Sequence, residues 1–101
     1  MAYEMGNANR IFKLMKAITN DNYLKVYHVS LFAALCHCWM ENEFKECFNI
    51  SRSRLMKLSK INSLNTYHKV IHELTQGKYI SYIPSFHPGK GSRVSILDRE
   101  I

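Results

Sequence analysis

Residues Asn49 to Arg93, NISRSRLMKLSKINSLNTYHKVIHELTQGKYISYIPSFHPGKGSR, decide how this chain is read. Eight bases (Arg52, Arg54, Lys57, Lys60, Lys69, Lys78, Lys90, Arg93) stand there against one acid, Glu73, a balance of +7 over 45 residues. Residues 1–48 hold five bases and five acids, and the tail 94–101 sets Arg99 against Asp98 and Glu100. The net positive charge therefore lies on a single segment, which points to a polyanionic partner.

The order of residues within that segment gives it a shape. Ser51 suits the N-cap of a short helix whose inward residues are Leu55 and Leu58, with Met56 at the margin. Ser59 to Asn62 form a turn with Ile61 as its apolar plug. Ser63 caps a second helix over about 63–76, in which Leu64, Tyr67, Val70, Ile71 and Leu74 share one face. Gly77 is placed to end it in the left-handed conformation. Tyr79, Ile80, Tyr82 and Ile83 begin a strand that stops at Pro84. Residues 85–92 are a Gly/Pro-rich loop, and Arg93 to Leu97 return as the partner strand.

Upstream, Ile11, Leu14, Met15 and Ile18 recur at i, i+3, i+4, i+7 and predict an amphipathic helix over about 8–19. Residues 19–22 break it. A second helix over 25–42 carries Val29, Phe32, Ala33, Leu35, Cys36, Trp39 and Met40 on one broad face, with Leu31, Ala34 and Cys38 also apolar. Such a helix must be covered on most sides. The N-terminal helix and a second copy of the chain are the expected covers, which predicts a homodimer through the N-terminal helices. Residues 46–50, with Phe48 and Ile50 at period two, fit an edge strand.

At 101 residues, 47% apolar and 22% charged, the chain suits one globular unit, an N-terminal extension over 1–24 followed by a domain over 25–101. No apolar run reaches the roughly 18 residues of a membrane span, and the N-terminus lacks a secretory layout. Cys36, Cys38 and Cys47 are an odd set without a C-x-x-C, so the expectation is a reducing, cytoplasmic location with no disulfide framework.

The strings ISRSRLMKLSKINSLNTYHK and YISYIPSFHPGKGSRV, preceded by HVSLFAALCHCWMENEF, resemble the small winged helix-turn-helix proteins of bacterial mobile and conjugative elements. The likeness covers about residues 25–97, and upstream it rests on Ser30, Leu31, Ala34, Leu35 and Trp39. It implies a mainly α chain with a small β-hairpin, an α+β winged helix-turn-helix with an N-terminal helical extension. It also implies a nucleoid-associated bacterial DNA-binding protein, acting as a transcriptional regulator or a mobile-element accessory factor.

In such a motif the second helix enters the major groove of double-stranded DNA. The outward residues there are Asn65, Thr66, His68, Lys69 and His72, the expected base contacts. Asn65 suits adenine, and His68 and Lys69 suit guanine or phosphate. Arg52, Arg54, Lys57, Lys60 and Ser63 are the expected phosphate contacts. His87, Lys90 and Arg93 form the basic wing, suited to the backbone or a narrow minor groove. A plain solvated helix surface is the competing reading, but such surfaces usually balance bases with acids, and only Glu73 offers one.

Other chemistry is not expected. His68 and His72 stand i, i+4, yet Lys69 occupies the place where a zincin motif needs glutamate. On a helix, Cys36 and Cys38 point about 200° apart, so they do not share an ion, and buried inert thiols are the simpler reading. No nucleophile elbow, Walker loop or carboxylate pair appears. The chain is read as no enzyme, with no metal and no cofactor. A second function class is a winged-helix protein-protein interaction module in a larger nucleoprotein assembly. A third is RNA, with Tyr79, Tyr82 and Phe86 as stacking platforms.

Overall fold

A computed structural model describes residues 2–85 and 91–98, and side chains from residue 6 onward. Four helices and a small antiparallel sheet follow in the order α1 (Ala2–Asn20), α2 (Val26–Glu41), β1 (Phe48–Ile50), α3 (Arg52–Ser59), α4 (Leu64–Gln76), β2 (Ile80–Ile83) and β3 (Ser92–Ile96). The chain is α+β, mainly helical, as its periodicities predict. Its sheet has three strands in the order β1-β3-β2, because β1 pairs with the outer side of the hairpin and becomes an edge.

One core joins every layer. Leu14 and Ile18 of α1, Leu31, Phe32, Leu35 and Trp39 of α2, Leu55 of α3, Tyr67, Val70, Ile71 and Leu74 of α4, and Phe48, Ile50, Ile80, Val94 and Ile96 of the sheet are all buried. Helix α1 is longer than its periodic stretch, running from Ala2 rather than residue 8. Arg10 fastens it, because its Nε donates to Asp98 at 2.9 Å and its guanidinium lies 4.7 Å over the Trp39 ring.

The buried face of α2 is rotated from the expected one. Leu31, Ala34 and Cys38 are inside, whereas Ala33 and Met40 are exposed. Helices α1, α3 and α4 all pack on α2, so most of its apolar surplus is covered within one chain. That removes the argument that α2 needs a second copy.

Helix ends follow local chemistry. Ser51 Oγ accepts from the Arg54 amide and Ser63 Oγ from the Thr66 amide, as N-caps do. The α4 terminus corrects the expectation for glycine. Gly77 keeps a right-handed φ of −75°, and Lys78 takes the left-handed position at φ 62°. The Lys78 amide donates to Thr75 and the Tyr79 amide to Leu74, a Schellman closure. A Cβ added at Gly77 would lie 3.2 Å from the Tyr79 ring, a tight contact to which the buried ring would have to give slightly. Helix α3 ends likewise, with Lys60 at φ 65°.

Candidate functional site

The sequence-predicted residues divide by what the fold does with each. On α4, Tyr67, Val70, Ile71 and Leu74 turn inward. Asn65, His68, Lys69 and His72 fall along the opposite, exposed stripe, and Thr66 is half-buried at its edge. Leu64 departs from expectation, being 44% exposed rather than part of the inward face. It is the first helical residue, and helical side chains lean toward the N-terminus, so it reaches past the core.

Arg52, Lys57 and Lys60 are exposed on α3 and the turn, and they make no ion pair among the described residues. Arg54 differs. Its guanidinium donates to both carboxylate oxygens of Glu41, at 2.6 and 2.7 Å. That contact holds the Glu41 carboxyl below its ordinary range and raises Arg54 further. Arg54 is thus already engaged by an acid of α2. His37 Nε2 stands 3.5 Å from the same carboxylate.

Glu73, the one acid of the basic segment, is also claimed from outside it. The buried His28 ring bridges two elements, with Nδ1 accepting from the Lys25 amide and Nε2 lying 2.9 Å from Glu73 Oε1. An accepting Nδ1 leaves the proton on Nε2, so the neutral ring donates to Glu73. Helix α2 is thereby capped at its start and α4 is held against it. Glu73 faces α2 and does not neutralise Lys69. Sequence reasoning missed His28, whose partner is 45 residues away.

In the hairpin, Arg93 pairs with Asn49 and Ile83 in the strand register. All three are exposed, while Val94 and Ile96 are buried. Arg93 therefore stands on the outer face of the sheet, away from the core side. His87 and Lys90 lie outside the described residues. Gly91 touches the site's frame, since a Cβ there would meet the Ile50 carbonyl oxygen at 2.1 Å.

A cavity of about 200 Å³ opens where α3, α4 and the hairpin meet, between Arg52, Tyr67, His68, Tyr82 and Ser92. The Tyr82 and Ser92 hydroxyls are hydrogen-bonded at 3.0 Å. Tyr67 is 2% exposed, and burial, with Tyr82 beside it, pushes its hydroxyl up to about 12 although Arg52 opposes the shift.

The cysteines are buried or half-buried thiols. Burial pushes Cys36 up to about 12 and also raises Cys38, against the lowering effect of Arg54. Neither thiol is poised as a thiolate. No helix among the described residues is long and apolar enough to cross a membrane. No family model, curated protein or solved structure matched the chain.

Proposed function

We propose that this chain is a sequence-specific double-stranded DNA-binding protein of the winged helix-turn-helix kind, serving as a transcriptional regulator or mobile-element accessory factor. In this reading α4 lies in the major groove, with Asn65, His68 and Lys69 toward base edges and Thr66 and His72 at the margins. Arg52, Lys57, Lys60 and the capped start of α4 at Ser63 hold phosphates. The observation that carries the reading is the α4 stripe, where Asn65, His68, Lys69 and His72 are exposed while Glu73 is turned away to His28. A solvated helix surface seldom lacks a balancing acid, whereas a groove-binding face has no use for one.

Two details add support. Lys60, an exposed cation, ends α3 as a left-handed C-cap and so stands in the turn between the two helices. A short turn, residues 60–63, links the two capped helices, as in helix-turn-helix pairs.

A homodimer is part of the proposal on narrower ground than α2 as a whole. Tyr23, Val26 and Tyr27 at the α1–α2 junction and Phe12 on α1 remain at least half exposed, and a two-fold protein reads paired half-sites. The test is selection of bound duplexes from a random pool at moderate salt, with light scattering on the free and bound protein. An enriched palindrome bound by two chains is expected. A pool left without enrichment overturns the sequence-specific reading.

A further inference from the structure

The cavity between α3, α4 and the hairpin contains a feature that packing does not explain. Tyr67 is buried, yet its hydroxyl makes no hydrogen bond among the described residues. Among the described residues no fully buried side-chain oxygen or nitrogen lacks a partner, so the Tyr67 oxygen is the kind reached from the cavity rather than one sealed in apolar surroundings. A hydroxyl that opens on a cavity takes its hydrogen-bond partner from whatever occupies that space, water or a ligand oxygen.

The surroundings define that partner. Arg52 lines the same cavity and has no carboxylate partner among the described residues. Tyr82 and Ser92 together own two hydroxyl hydrogens and use one between them, which leaves one to donate outward. His68 sits on the rim, its ring edge-on to Tyr67 at 5.5 Å. Ile50 and Pro84 form an apolar wall that lowers the local polarity. Among the described residues no aspartate or glutamate lines the space. A cation, two directed donors and no competing acid fit a tetrahedral oxyanion. The volume of about 200 Å³ would hold roughly six or seven waters, enough for a phosphoryl group with part of an attached sugar.

We propose that this cavity is a receptor for one phosphoryl oxyanion, with Arg52 supplying charge and the hydroxyls of Tyr67 and the Tyr82–Ser92 pair supplying directed hydrogen bonds. The inference rests on the DNA reading only for the source of the group, a backbone phosphodiester of the bound duplex. It gives Tyr67 a second task beyond the core, and moves His68 from base edges toward the backbone. Tyr67 stays protonated across physiological pH, so it acts as a donor.

The test uses the full chain as Tyr67→Phe, Ser92→Ala and Arg52→Gln, with thermal melts to confirm folding. Duplex affinity is measured across a salt series, on a selected and a random duplex. Inorganic phosphate is titrated against chloride at matched ionic strength while the amide resonances of Tyr67, His68 and Ser92 are followed. Tyr67→Phe is expected to weaken both duplexes about tenfold with an unchanged salt slope, because a hydrogen bond to an anion is lost but no charge. Arg52→Gln is expected to lower the slope by about 0.9. If wild type binds no duplex, yet phosphate shifts Tyr67 and Ser92 and the Phe variant abolishes this, the DNA reading falls and the receptor stands for free phosphate. If Tyr67→Phe and Ser92→Ala bind duplex as wild type and phosphate leaves these resonances unmoved, the receptor is overturned.

Discussion

Arg10, in the charge-balanced half of the chain, donates to Asp98 and lies over the Trp39 ring. Arg52, Lys57, Lys60 and Lys69, in the basic half, extend into solvent without an ion pair among the described residues. The two halves also exchange partners. Glu41 of the first half takes Arg54 of the second, and His28 of the first takes Glu73. Both exchanges tie α2 to the helices behind it, and the second withdraws the only acid from the basic face. Arg10, His28 and Glu41 tie elements together, whereas Arg52, Lys57, Lys60 and Lys69 keep their charge without a partner among the described residues. A count along the sequence does not separate the two uses.

The comparison breaks first if stability does not reside in the packed side chains rather than in the exposed bases. Trp39→Ala should cost about 3–5 kcal/mol in urea denaturation, since it removes a fully buried ring and the platform under Arg10. Lys57→Ala should stay within about 0.5 kcal/mol of wild type in the same assay. Next, the exposed stripe should carry discrimination. Asn65→Ala should lower the preference for a selected over a random duplex by roughly 1–3 kcal/mol while the melting temperature is unchanged. Equal binding of both duplexes by wild type and variant would remove α4 from the groove.

Lys60→Gly sharpens the contrast within one residue. Relief of the left-handed lysine should stabilise the fold by about 1 kcal/mol, while loss of the charge should weaken every duplex and lower the salt slope by about 0.9. Stability and binding moving in the same direction would tell against an available cation there. The smallest effect is expected at the exposed Glu41–Arg54 pair. Because Arg54 depresses the Glu41 pKa, the pair's stabilisation is present above the ordinary carboxylate value, about 4.3, and is lost as pH falls through the lower folded value. Melting temperatures of wild type and Glu41→Gln should therefore converge in acid. At neutral pH the same variant should bind duplexes slightly more tightly, with Arg54 released.

What was readable beforehand had local causes. The inward residues of α4 repeat at helical spacing, and Ser51 and Ser63 cap amides three residues ahead, so those elements follow from neighbours in sequence. Leu64 misled because periodicity ignores how few turns precede a first helical residue. Gly77 misled because the left-handed residue that closes the helix is the next one, Lys78, where the amides of 78 and 79 reach back to Thr75 and Leu74. The site was legible as a polar stripe and as basic positions. The cavity was not, because it depends on β3 bringing Ser92 to Tyr82 beside α4. The engagement of Arg54 and Glu73 depends equally on contacts distant in sequence.

Gly91 fixes one end of the connection between β2 and β3. Only a hydrogen fits between its Cα and the Ile50 carbonyl, so β3 enters the sheet at one height against β1. The two ends of that connection are therefore unequal in what they tolerate. Residues added beside Pro84, exposed at the end of β2, lengthen the reach of the hairpin and leave the ladder as it is. Residues added after Gly91 slide Ser92, Val94 and Ile96 along β1 and β2, turning core side chains outward at each odd step. Variation in hairpin length among descendants of this chain should therefore accumulate on the Pro84 side, with a glycine retained at the other.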